Sequence, residues 1–92
     1  MRIGELILKK VWENDSDTLY SSKIDGHCKI TVLDRLTGWG DGTIRDIETG
    51  FKDEAGKFWL ASGDFDIRNH PELSIDDAIS LIKDNANTCI GV

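Results

Sequence analysis

Between residues 27 and 36 apolar and polar positions alternate with a period of two. Cys28, Ile30, Val32 and Asp34 share one side, and Lys29, Thr31, Leu33 and Arg35 the other. This is the pattern of an antiparallel strand with one face on a core and one in water. It opens after Asp25-Gly26, a turn signal because glycine takes positive φ without steric cost. It closes at a glycine-rich loop, Thr37-Gly38-Trp39-Gly40-Asp41-Gly42. Residues 43–48 read as the next strand. Turns at Thr49-Gly50-Phe51 and Asp53-Glu54-Ala55-Gly56 lead into residues 57–62, the densest apolar run of the second half. Glycines bound this run and it is too short for a helix, so it predicts a buried strand at the centre of a small sheet. A short strand over residues 64–68 follows.

Towards the N-terminus the periodicity is ambiguous. Ile3, Ile7 and Val11 fit a helical face, whereas Leu6, Ile7 and Leu8 in succession fit a strand buried on both sides. Gly4 costs a helix about 1 kcal/mol relative to alanine, and β-branched residues are frequent. A strand over residues 3–12 is therefore preferred, with a helix as the alternative. Glu13-Asn14-Asp15-Ser16-Asp17 is a polar loop, and residues 18–23 predict a short edge strand around Leu19-Tyr20.

After Asn69-His70-Pro71 the period changes from two to 3.6. Ile75, Ala78, Ile79, Ile82 and Ala86 fall on one face, with Leu81 at its edge. Ser74 followed three residues later by Asp77 resembles a capping box, and Asp76 and Asp77 suit the positive helix end. The spacing predicts an amphipathic helix from residue 75 to 84 or 85. The tail, residues 87–92, carries Cys89, Ile90 and Val92 and can dock as a last short strand. The expected fold class is α+β: a small, strongly bent antiparallel sheet or partly open barrel of about five strands, with one C-terminal helix. The 92 residues read as one domain, β-rich over 3–68, helical over 74–85, with a tail over 87–92.

Composition narrows the function classes. With 39% apolar and 30% charged residues the chain can form a core, which argues against disorder. Its net charge of −6 makes it a poor electrostatic match for nucleic acid or an anionic membrane. Direct nucleic-acid binding and membrane association are therefore not expected. No stretch approaches a membrane span or an export signal, so the expected compartment is the cytoplasm, with Cys28 and Cys89 as free thiols.

The carboxylates concentrate in the loop of Glu13, Asp15 and Asp17, in Asp41, Asp46 and Glu48, and at the helix start. Such a surface can imitate phosphates and occupy a basic groove; solubility and helix capping are the plainer account. Trp39, between two glycines on an acidic rim, suits a protein-interaction anchor, though it equally suits a plug folded back on the end of a barrel. Paired carboxylates such as Asp64 and Asp66 lack the evident pocket that would raise one pKa for acid/base work. His27 and Cys28 face opposite ways in a strand, and no metal-ligand spacing occurs. Ser62 and Cys28 lack a neighbouring base. No catalytic, metal or cofactor site is expected.

The order of strand, polar loop, alternating strand, glycine-rich turn, strand, tight turn and Phe-Trp strand, with Gly26, Gly56 and Trp59 at its key positions, resembles the SH3-like small β-barrels over residues 3–68. In general style the chain also resembles small accessory and anti-defence proteins of bacteriophages: short, acidic and without a catalytic motif. The second resemblance implies binding to a host protein, such as a nucleic-acid-processing enzyme, and inhibiting it in the host cytoplasm. On this reading Trp39, Asp41, Asp46, Glu48, Glu13, Asp15 and Asp17 form the partner surface. Two alternatives stand beside it. One is a small-barrel nucleic-acid-binding module with Lys9, Lys10, Lys23, Lys29, Arg35 and Arg45 as a basic stripe. The other is a structural component that forms a homo-oligomer.

Overall fold

The computed structural model describes residues 1–24, 28–37, 44–63 and 65–91. In chain order the elements are β1 (Arg2–Ile3), β2 (Leu6–Ile7), β3 (Lys9–Glu13), β4 (Asp17–Ile24), β5 (Cys28–Thr37), β6 (Ile44–Lys52), β7 (Phe58–Ala61), a 3₁₀ turn (Ile67–Asn69), α1 (Ile75–Asn85) and β8 (Thr88–Ile90). β1 and β2 pair as a small hairpin. The other six strands form one sheet in the order β3-β4-β5-β6-β7-β8, with every neighbouring pair antiparallel. The α+β class and the antiparallel sheet are as expected, and the tail does add a last strand. The sheet is open: β3 and β8 are its edges, and no pairing among the described residues joins them.

The strand register assigns each side chain to a face. Tyr20, Val32 and Thr49 stand side by side, as do Ser22, Ile30 and Phe51. This inner face carries Ile30, Val32, Ile47, Phe51 and Ala61, all buried. It is covered by Ala78 and Ile82 of α1, by Ile3, Leu6 and Leu8 of the N-terminal segment, and by Ile67 and Leu73. The alternation predicted for Ile30, Val32, Lys29, Thr31, Leu33 and Arg35 is present. The helix begins where the spacing placed it, with the Asp77 N–H donating to Ser74 Oγ at 3.2 Å.

Five local expectations are corrected. Residues 3–12 are not one strand, because Gly4 turns the chain with φ +57°. A Cβ at Gly4 would collide with the Leu73 carbonyl, so only glycine permits the close approach. The adjoining Glu5 N–H donates to that carbonyl at 2.8 Å, and Glu5 Oε2 accepts from the Ile75 N–H at 3.3 Å. The hairpin tip is thus clipped to the helix start. Residues 18–23 lie in an inner strand rather than at the edge, which β3 occupies. Thr49-Gly50-Phe51 is no turn: all three residues are in β6, which runs on to Lys52. β7 is fifth of six rather than central. Residues 67–69 form a 3₁₀ turn, not a strand, because Asp66 Oδ1 accepts from the Arg68 N–H at 2.9 Å and caps it. The tight turn at residues 53–56 is as expected, closed by the Asp53 N–H to Lys57 O at 2.9 Å with Gly56 at φ +84°.

Candidate functional site

The sheet's other face lies away from the core that the helix covers, and Ile7 of the N-terminal hairpin reaches it at one end. Register places four rows on it. Asp17, Arg35 and Asp46 form the first, and Leu19, Leu33 and Glu48 the second. Ser21, Thr31 and Gly50 form the third, and Lys23, Lys29 and Lys52 the fourth. Strands rise about 3.3 Å per residue, so the first and fourth rows lie roughly 20 Å apart. Charge on this face is therefore segregated, with carboxylates at one end and lysines at the other.

At the acidic end the meander brings separate segments together. Asp15 is exposed in the β3–β4 turn, and Glu13 and Asp17 flank it. The turn is organised by Asn14, whose Oδ1 accepts from the Asp17 N–H at 2.7 Å and from the Ser16 N–H at 2.9 Å. Asp46 and Glu48 arrive on β6 from the opposite side of Arg35. The Arg35 guanidinium donates to Glu48 Oε1 at 3.4 Å, and Lys10 Nζ donates to Glu13 Oε1 at 3.0 Å. Both pairs are solvent-exposed and hold their partners weakly. Five of the seven predicted partner residues therefore gather at one end. Trp39 and Asp41 lie outside the described residues. The aromatic residue found near this end is Trp12, opposite Leu19 and 50% exposed.

At the lysine end a cleft of about 470 Å³ is lined by Ile7, Lys9, Val11, Ser21, Ser22, Lys23 and Lys29. Lys9 stands opposite Ser21. Ile7 and Val11 are 65% and 57% exposed. Lys9, Lys23, Lys29 and Lys52 make no ion pair among the described residues. Of the basic candidates read from the sequence, Lys9, Lys23 and Lys29 meet here. Lys10 pairs with Glu13, and Arg35 stands among the carboxylates. Lys52 was missed, since a strand ending at residue 48 left it in a loop.

The remaining chemical candidates are occupied by structural contacts. Asp66 chelates Arg68: Oδ2 accepts from Nη2 at 2.8 Å and Oδ1 from Nε at 3.1 Å. That bond and the backbone one hold the Asp66 carboxyl below its usual range and raise the Arg68 guanidinium. A general acid needs the opposite shift. Its sequence partner Asp64 lies outside the described residues, as does His27. Ser62 is held by Asn87, whose Nδ2 donates to Ser62 Oγ at 3.1 Å. The His70 ring faces Phe65 with centroids 6.1 Å apart. Cys89 is an exposed free thiol on β8, separated from β5 and Cys28 by two intervening strands. Among the described residues no group of three His, Cys, Asp or Glu is placed to hold a metal ion. No helix among them is long and apolar enough to cross a membrane.

On the inner side, Asp53 anchors Trp59. Asp53 Oδ2 accepts from Trp59 Nε1 at 3.2 Å, and Oδ1 from the Lys57 N–H at 2.9 Å. Lys57 Nζ lies 4.1 Å from the Trp59 ring centroid and Lys83 Nζ 5.4 Å. The indole hydrogen bond, helped by the backbone, lowers the Asp53 pKa. Trp59 packs against the core, so this cluster is scaffold.

No known protein family, curated protein or solved structure matches this chain.

Proposed function

We propose that the chain is a non-enzymatic interaction protein that binds a host protein in the cytoplasm and inhibits or modulates it. The class of target is a nucleic-acid-processing enzyme with a basic groove. The observation that supports this reading is the convergence of Asp17, Asp46 and Glu48 at one end of an uncovered sheet face, with Asp15 in the adjoining turn and Glu13, opposite Thr18, at the same end of the sheet. Carboxylates on two strands of that face, β4 and β6, and in the adjoining turn offer negative charge to such a groove much as phosphates do. Trp12, exposed one row away, adds a rigid apolar anchor of the kind that dominates interface energetics. Affinity capture from a bacterial lysate tests the proposal. A nucleic-acid enzyme retained by the native chain and released by Asp17→Lys/Asp46→Lys supports it. Equal retention by native and charge-reversed chains, or no retained protein, overturns it.

The row of Lys23, Lys29 and Lys52 favours a second reading, a nucleic-acid-binding module of the SH3-like barrel kind. A polyanion following the strands from that row would run into Asp17, Asp46 and Glu48 on the same face, which is why the protein-binding reading is preferred. A gel shift at low salt decides, because electrostatic binding is strongest there. Absence of retardation rejects the second reading.

A further inference from the structure

We propose that the cleft at the lysine end of the sheet binds a small organic phosphate, with its oxygens among Lys9, Lys23 and Lys29 and its apolar body on Ile7 and Val11. Three features of the cleft carry this, none of them dependent on the acidic end.

First, the cations are placed by backbone register. Lys23 and Lys29 are cross-strand partners on one face, and Lys52 continues the row on β6. Directly opposed like charges destabilise a sheet, and relief comes from an anion between them. Second, no carboxylate among the described residues supplies such an anion. The chain has 17 acidic residues against 11 basic, yet none of these lysines has an acidic partner among the described residues. The carboxylates that share this face lie at its far end.

Third, Lys9, Lys23 and Lys29 line a concavity. Its volume of about 470 Å³ falls in the size range of small-molecule sites. Ser21 and Ser22 line it, and Ser21, on the same face as Lys23 and Lys29, adds a neutral hydrogen-bond donor. The half-exposed side chains of Ile7 and Val11 form its apolar wall. Lysine binds phosphate as a compact point charge that approaches from many directions. A bare inorganic ion would leave the apolar wall wet, whereas an ester with an aromatic or aliphatic group covers it. A long polyanion fits less well, because the same face turns acidic within about 20 Å.

The test is a titration of the whole chain with inorganic phosphate, pyrophosphate and phenyl phosphate, read by the backbone amide shifts of Lys9, Ser21, Ser22, Lys23 and Lys29. Saturable shifts confined to these amides are expected, with phenyl phosphate binding more tightly than inorganic phosphate. Lys23→Ala/Lys29→Ala should weaken binding about tenfold, since each exposed ion pair contributes modestly, whereas Lys83→Ala should leave it unchanged. Val11→Ser should remove the advantage of phenyl phosphate alone. Three results overturn the proposal: no saturation at millimolar concentration, equal shifts at Lys57 and Lys83, or tighter binding of a single-stranded oligonucleotide or a Glu-Leu peptide across the whole face. The lysines are exposed, so the variants keep the fold, and failure here leaves the acidic-end proposal standing.

Discussion

Phe58 lies across the bare Cα of Gly50: a Cβ built on Gly50 would stand 2.6 Å from Phe58 Cζ and 2.7 Å from Thr31 Oγ1. The glycine is in mid-strand because its neighbours fill the space of a side chain. Gly50→Ala should therefore destabilise the fold by about 1–3 kcal/mol through overpacking. Adding Phe58→Leu should recover part of that loss, because the shorter side chain leaves room for the new methyl. Urea unfolding of the single and double variants measures both. Additive losses would show that the two residues are not in contact.

The same contact shows what could be read from the sequence. A glycine after a polar Glu48-Thr49 looks like a turn, and nothing local reveals that Phe58 on the next strand needs the space. Gly4 is a parallel case: its partner is the Leu73 backbone, sixty-nine residues along the chain. The alternation over residues 28–36 and the helix from Ile75 were legible because each depends on its own periodicity and capping. Individual acidic residues of the candidate site were legible too. Their convergence was not, since it follows from the register of β4, β5 and β6. The lysine row is a stronger instance. Lys52 is far in sequence from Lys23 and Lys29, and the three form one row only when two hairpins are paired in register.

Two carboxyls should shape the acid limb of stability. Asp53, bonded by the Trp59 indole and the Lys57 amide, and Asp66, chelated by Arg68, both have pKa values lowered from an ordinary 3.8. A lowered folded-state pKa means that the unfolded chain takes up the proton more readily. The stability these groups contribute is full above the unfolded value and is lost as pH falls through 3.8 towards the folded values. The thermal midpoint should thus stay level at mildly acidic pH and drop below it. Asp53→Asn and Asp66→Asn should each lower the midpoint at neutral pH and flatten that drop. A midpoint series against pH for the three chains checks the slopes. An unchanged acid limb in both variants would show that neither bond matters to the fold.

Thr49 is completely buried, opposite Val32 and Ala61, and its Oγ1 has no hydrogen-bond partner among the described residues. A buried hydroxyl without a partner loses its hydration and gains nothing in return. Valine has nearly the same shape and a higher preference for strands. Thr49→Val should therefore stabilise the protein by about 1 kcal/mol, seen as a higher urea midpoint with an unchanged slope. Thr49→Ala, which removes the methyl as well, should destabilise it instead. A destabilised valine variant would mean that the hydroxyl is satisfied, by a water molecule for instance.

Lys29 stands between Lys23 and Lys52, so its charge has a like neighbour on each side. Reversing it should turn two repulsive cross-strand pairs into attractive ones, and such pairs are each worth about 0.2–1 kcal/mol. Lys29→Glu should accordingly raise stability by up to about 1 kcal/mol at low ionic strength, with the gain shrinking as salt screens exposed charges. The same substitution should abolish binding of phenyl phosphate, because the cleft then presents a carboxylate to the anion. Lys29→Gln separates the two effects: it removes repulsion without adding attraction, so both its stability gain and its loss of binding should be smaller. A variant that binds less and folds better would mean that the native lysine is retained at a cost to the sheet, which fits a ligand-binding role. If Lys29→Glu instead lowers stability at every salt concentration, the lysine stems contribute packing that outweighs their mutual repulsion. The row would then be a structural feature, and the sheet would need no anion in the cleft to relieve it.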